Sequence, residues 1–188
     1  VLYGKVNPSA KLPMTFPRSV GQVPIYYNAK NTGRPLSTEN TDKCTFEKFR
    51  SNYLDECNTP LYPFGYGLSY SQFNYSDLSV SNAKPTGNTS IEASITLTNS
   101  GKYDGAEVVQ LYIRDLVGSI TRPVKELKGF QKVYLKAGES KKVTFKISPE
   151  DLKFYNSQLK FDWEAGDFDV MIGTNSHDVK TTRISWTK

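Results

Sequence analysis

Ile91-Glu92-Ala93-Ser94-Ile95-Thr96-Leu97-Thr98-Asn99-Ser100-Gly101 alternates apolar with polar side chains and then stops in turn chemistry. Successive strand side chains point to opposite faces, so Ile91, Ala93, Ile95 and Leu97 form one apolar face. Working outward, the same period recurs. Phe73, Tyr75, Leu78 and Val80 mark a strand before it, ending near Pro85-Thr86-Gly87. After it, Val109, Leu111 and Ile113 alternate with Val108, Gln110 and Tyr112, and a strand or pair of strands runs from Val124 to Leu135. Val143, Phe145 and Ile147 form the next. Leu159, Phe161 and Trp163 follow, then Phe168, Val170 and Ile172, and finally Thr182, Ile184 and Trp186. Ser148 is placed to cap one helical turn over Pro149-Glu150-Asp151-Leu152. Short strands with frequent turns and no helical period predict an all-β antiparallel sandwich over residues 71–188.

The chain before residue 71 has a different character. Leu61-Tyr62-Pro63-Phe64-Gly65-Tyr66-Gly67-Leu68-Ser69-Tyr70 interleaves aromatics with glycine. Pro63 fixes its own φ and keeps Leu61-Tyr62 extended, while Gly65 and Gly67 allow a positive φ or a close backbone approach. The segment reads as a hinge packed into a seam, the plainer alternative being an aromatic-rich loop. Residues 21–70 are linker: Asn28 to Asp42 is polar without a hydrophobic period, and Phe46, Phe49, Tyr53 and Leu54 suggest one short helical turn ended by Asn58-Thr59-Pro60. In residues 1–20, Leu12, Met14 and Phe16 alternate between Pro13 and Pro17, which predicts a short extended segment. That arm is expected to lack partner strands, and the β-domain to fold without it. So long a linker fits better draped over a larger protein.

Composition narrows the classes. The hydrophobic fraction of the 188 residues is 37% and aromatics reach 13%, so tyrosine and phenylalanine supply much of the buried area. The net charge of +5 is mild and its basic residues are interspersed with acids, which excludes a nucleic-acid patch. No apolar run is long enough to span a bilayer as a helix. The abrupt start at Val1-Leu2-Tyr3-Gly4 reads as that of a fragment. Cys44 and Cys57 are either a disulfide or two free thiols, since spacing does not decide between them. His177 is the only histidine and no zinc, phosphate-loop or dinucleotide motif is present, so no metal or cofactor is called for.

Four stretches together resemble the family-3 glycoside hydrolases, the β-glucosidase and β-xylosidase family, and in particular their periplasmic bacterial members. Leu61 to Tyr70 looks like the junction between an α/β sandwich domain and a C-terminal fibronectin type III-like domain. Asn7-Pro8-Ser9-Ala10-Lys11-Leu12-Pro13-Met14-Thr15-Phe16-Pro17-Arg18 is similar to the end of the sandwich domain. Val23-Pro24-Ile25-Tyr26-Tyr27-Asn28, with Thr32-Gly33-Arg34-Pro35, is similar to the loop after it, and Arg122 to Phe130 to the middle of the fibronectin-like domain. Ala10 stands where a glycine is common and Ala29 where a histidine is usual. The resemblance implies an immunoglobulin-like fibronectin type III sandwich over 71–188, a linker over 21–70 and a remnant of the α/β domain over 1–20. It implies a retaining, cofactor-free parent in the periplasm or outside the cell. The chain's partners would be the parent's barrel and α/β domains, with an oligo- or polysaccharide as a further candidate, and no nucleic acid.

Retaining hydrolysis needs two carboxylates roughly 5–5.5 Å apart. Asp167 and Asp169 share a strand face here, but Phe168, Val170 and Ile172 occupy the other, so this pair reads as a solvated strand face. By resemblance, the nucleophile and the acid/base belong to parts of the parent that this sequence does not contain, and no residue inherits a catalytic role. Tyr26, Tyr27, Asn28 and Arg34 are the candidates for sugar contact: aromatic faces stack on sugar rings, and Asn and Arg bind hydroxyls. The alternative is that the tyrosines pack the linker onto the protein. Trp163 and Trp186 could form a carbohydrate platform but fit the core alternation, and His177 reads as an exposed loop residue. A stand-alone carbohydrate-binding module and an adhesion domain are the competing functions.

Overall fold

The structure, a computed structural model, describes residues 1–36 and 44–188. Part of the polar stretch Asn28 to Asp42 therefore lies outside the described residues. The strands are β1 Phe73–Tyr75, β2 Ser79–Val80, β3 Ile91–Asn99, β4 Gly105–Asp115, β5 Glu126–Leu135, β6 Ser140–Ile147, β7 Phe154–Tyr155, β8 Phe161–Asp162, β9 Gly166–Gly173 and β10 Val179–Trp186. In one sheet β3 pairs with β1 and β2 on one side and with β6 on the other; the second has the order β10-β9-β4-β5. All pairings between these strands are antiparallel, and β7 with β8 makes a small separate hairpin. The all-β sandwich is as the period-2 spacing predicts.

The apolar faces meet in one core. Ile91, Ile95 and Leu97 of β3 and Val143, Phe145 and Ile147 of β6 face Val109, Leu111 and Ile113 of β4, with Phe168, Val170 and Ile172 of β9. Trp163 and Trp186 close it edge to face, ring centroids 6.0 Å apart, and the Trp186 indole donates to the Gly87 carbonyl at 3.0 Å. Both are buried, so neither forms a surface platform.

Several details differ from the sequence reading. The first strand is two pieces. Tyr75 pairs with Leu97 but Ser79 with Ser94, so the leading strand carries one extra residue, a bulge that keeps Phe73, Tyr75, Leu78 and Val80 all on the core. The spacing of these four, which steps by three between Tyr75 and Leu78, already encodes it. Leu159 does not begin a strand: it sits in a turn at φ 59° and is exposed, because Asn156 accepts from the Gln158 and Lys160 amides and folds the chain back. Phe46, Phe49, Tyr53 and Leu54 form no helical turn. The Asn52 amide instead bonds the backbone of Glu47 in both directions, and Phe49 takes φ 65°. The turn at Pro149–Leu152 is a 3-10 helix, with the Asp151 carboxylate accepting from the backbone and hydroxyl of Ser148 at 2.7 and 2.9 Å.

The arm also departs from expectation. It has a partner within the chain, the hinge. Leu12 donates to the Tyr66 carbonyl at 2.8 Å, Gly65 to Leu12 at 2.9 Å, Phe16 to Tyr62 at 2.9 Å and Leu61 to Phe16 at 2.9 Å. Prolines at 13 and 17 leave these alternate positions free to pair. Cys44 and Cys57 are joined in a disulfide, and the buried Gln22 side chain binds beside it, accepting from the Arg18 amide and donating to the Cys57 carbonyl at 2.6 Å.

Candidate functional site

The arm and hinge lie across the end of the sandwich where β4, β9 and the β9–β10 turn come together. Gly65 makes that approach. Its φ is +79°, and a Cβ there would fall 2.1 Å from the Gln110 Oε1 atom. Gln110, on the outward side of β4, donates to the Gly65 carbonyl at 3.2 Å and to Thr174 at 2.7 Å, and accepts the Tyr112 hydroxyl at 2.5 Å. Tyr112 is fully buried under the linker, and burial, with Tyr27 next, pushes its hydroxyl well above the usual phenol range. Ser176 donates to the Phe64 carbonyl at 2.9 Å, so the β9–β10 turn is gripped by the hinge.

Beside this seam is a cleft of about 490 Å³ lined by Tyr26, Tyr27, Arg18, Tyr66, Lys125 and His177, among others. Two of the four sugar-contact candidates meet there, in different roles. Tyr26 is 65% exposed. Tyr27 stacks on Phe64, centroids 4.3 Å apart at 19°, and meets Tyr112 edge-on at 5.9 Å, while its hydroxyl accepts from the Leu127 amide. Packing occupies it. Asn28 and Arg34 are exposed and do not line the cleft; the Arg34 carbonyl accepts from the Ser51 amide at 2.8 Å. Arg18 and Lys125 were not singled out from sequence. The Lys125 ammonium donates to the Ser176 carbonyl at 2.6 Å, and burial, with Arg114 nearby, lowers its pKa. Their apolar and proline-rich neighbours carried no signal that folding would bring them together across more than a hundred residues.

The paired carboxylates lie elsewhere. Asp169 takes a two-pronged contact from Arg183, at 2.9 and 3.3 Å, and Asp167 accepts from the Ser185 hydroxyl, both across the β9–β10 pair. His177 is exposed in the β9–β10 turn, which Asn175 shapes by accepting the His177 and Asp178 amides at 2.8 Å. Among the described residues no group of His, Cys, Asp and Glu is arranged to hold a metal.

This architecture defines a class: a seven-position antiparallel sandwich with an extended arm sealed to one end. Comparison with known proteins gives the family. Residues 1–70 match the glycosyl hydrolase family 3 C-terminal domain and residues 107–176 the fibronectin type III-like domain. The chain is 52% identical over 180 residues to a periplasmic beta-glucosidase of Salmonella typhimurium, covering 96% of the chain and 23% of that protein. It is 48% identical to a putative beta-xylosidase of Formosa agariphila, covering 97% of the chain and 22% of that protein. The crystal structure of a beta-glucosidase from Listeria innocua in complex with isofagomine superposes with a TM-score of 0.92 at 44% identity, over 100% of this chain and 26% of that one. The chain belongs to glycosyl hydrolase family 3, as the C-terminal part of a β-glucosidase-like protein. It spans about a quarter of the length of the relatives it matches.

Proposed function

We propose that this chain is a structural, non-catalytic part of a retaining β-glucosidase-like hydrolase, and that its arm seats the sandwich on the rest of that enzyme, the barrel and α/β domains. The observation that carries this is where the apolar side chains go. The arm buries no large apolar residue among those described, yet Leu2, Tyr3, Val6, Met14, Phe16 and Val20 are all exposed on it, as Leu68 is on the hinge. Exposed apolar surface concentrated on one segment marks an interface. Asp167 and Asp169, the carboxylate pair that the sequence offers, are engaged by Ser185 and Arg183 across the β9–β10 pair and do not line the cleft. The periplasm or the extracellular space is the compartment, in keeping with the disulfide and with the name of the Salmonella relative.

A second role has one observation in its favour: Tyr26 is exposed in the cleft, where its ring could meet a sugar. A stand-alone carbohydrate-binding module has less support, because Trp163, Trp186 and Tyr112 are all buried. Sugar contacts of this kind bind ground and transition states alike and do not accelerate the chemical step. Losing acid–base help alone costs about 10²–10⁴-fold, and losing the nucleophile costs more. The purified chain is therefore expected to release no aryl alcohol from an aryl β-glucoside or β-xyloside above buffer. Release that survives repurification and disappears with Asp167→Ala or Asp169→Ala would overturn the proposal.

A further inference from the structure

Glu107 lies on the inward side of β4, at the rim where the two sheets open, and is 5% exposed. One oxygen, Oε1, accepts three hydrogen bonds. The Tyr75 hydroxyl donates at 3.0 Å, the Thr174 hydroxyl at 2.5 Å and the Lys11 ammonium at 2.9 Å. Lys11 also donates to the Thr174 hydroxyl oxygen at 2.8 Å, so that hydroxyl gives its proton to the carboxylate and takes one from the ammonium. A carboxylate facing an ammonium satisfies all four contacts.

The sandwich strands supply the carboxylate and both hydroxyls. The countercharge comes from the arm, 96 residues earlier. Lys11 is itself nearly covered, with 11% of its side chain exposed. Residues 10–12 are pinned on their other side by the hinge: Leu12 is bonded to Gly65 and Tyr66, and a Cβ on Gly67 would fall 2.4 Å from the Ala10 carbonyl. Asn7 fastens the same stretch, donating to the Asp104 carbonyl at 2.9 Å and accepting from the Tyr70 amide at 2.9 Å. A buried carboxylate left without its partner is strongly destabilising, whereas removing both charges together is far less so.

We propose that Lys11 and Glu107 form a latch that makes the arm and the sandwich one cooperative unit, with the sandwich rim acting as a docking face whose occupant is the arm. The sandwich is then not self-sufficient, contrary to the expectation from its strand pattern. The energetic boundary of this unit lies before Lys11 and not at residue 71.

Native-state amide exchange on the whole chain tests this without any substitution. The Leu12, Phe16 and Gly65 amides should exchange within about threefold of Val109 and Ile113 of β4, because all open in the same event. Exchange of the arm amides about a hundredfold or more faster than those of β4 would show a separately opening strap and overturn the proposal. A substitution cycle gives the second reading. Lys11→Met should lower the folding equilibrium constant on the order of a hundredfold or more, and Lys11→Met with Glu107→Gln should recover at least about tenfold of it. If the double variant is as unstable as the product of the two single changes, the ion pair is not the latch. Should Lys11→Met fail to fold, the exchange measurement on the unaltered chain still decides.

Discussion

The sandwich buries Ile91, Leu97, Val109, Ile147, Phe168, Ile172 and Trp186 between its sheets, whereas among the described residues of the arm, linker and hinge together only Gln22 and Gly65 are buried. One region is held by area removed from water. The other is held by hydrogen bonds, ring stacking, a disulfide and ion pairs, Lys11 with Glu107 foremost. Hydrogen bonds contribute about 0.5–1.5 kcal/mol each, net of those lost to water, so the arm's hold depends on each bond being completed. A segment attached in this way keeps its own apolar side chains for something else. Leu2, Tyr3, Val20, Leu54 and Leu68 all point away from the fold that holds the arm in place.

The largest effect is expected where the comparison is most extreme. Trp186 is 1% exposed, packs against Trp163 and donates to the Gly87 carbonyl. Trp186→Ala should cost about 3–5 kcal/mol, through lost transfer energy and the cavity left behind. Urea unfolding followed by far-ultraviolet circular dichroism measures the loss. If arm and sandwich are one unit, the protease sensitivity of the arm should rise in step with it. Loss of the sandwich signal with the arm still protected would show that the two regions open independently.

Alkaline pH separates them by a gentler route. The Tyr75 hydroxyl is raised above the usual phenol range by burial, then by the Glu107 charge, and the Tyr112 hydroxyl by burial, then by Tyr27. Both folded-state pKa values lie above the unfolded value. The stability these groups contribute is present below about pH 10 and is lost as pH rises beyond it, because the unfolded tyrosines ionise first. Each should remove about 1.4 kcal/mol per pH unit above 10. Tyr112→Phe should flatten the dependence by one tyrosine's share. An unchanged slope in that variant would mean that Tyr112 ionises in the folded protein.

How far the sequence could be read follows from the range of the forces involved. The sandwich was legible because each strand declares its buried face locally, residue by second residue. Even the bulge between Tyr75 and Leu78 is written in the spacing. Leu159 misled because it continues the alternation of Phe161 and Trp163, while Asn156 bends the chain beneath it. The seam was legible as a seam: Gly65 and Gly67 both prove to be close approaches, one of them at positive φ. What it seals against was not. Lys11 meets Glu107 across 96 residues, Gln22 meets Cys57 across 35, and no period or motif marks either pair. Of the sugar-contact candidates, Tyr26 and Tyr27 reach a common cleft and Asn28 and Arg34 do not, a division set by the hinge beneath them.

The smallest and sharpest test lies within that division. Tyr26 and Tyr27 are neighbours in sequence and equal in chemistry, yet one belongs to the surface of the arm and the other to its attachment. Tyr27 is stacked on Phe64 and set edge-on against Tyr112, contacts worth about 0.5–1.5 kcal/mol beyond the area they bury. Tyr27→Ala should therefore lower stability by about 1–3 kcal/mol, with the arm loosened over the β9–β10 turn. Tyr26, 65% exposed, has no such ring contact among the described residues, and Tyr26→Ala should leave the urea midpoint within error. Any binding of glucose or cellobiose to the chain, followed by shifts in tyrosine ring resonances, should weaken with Tyr26→Ala. Equal losses of stability in the two variants would mean that Tyr26 is a packing residue too, and the reading of the cleft as a sugar contact would fall with it.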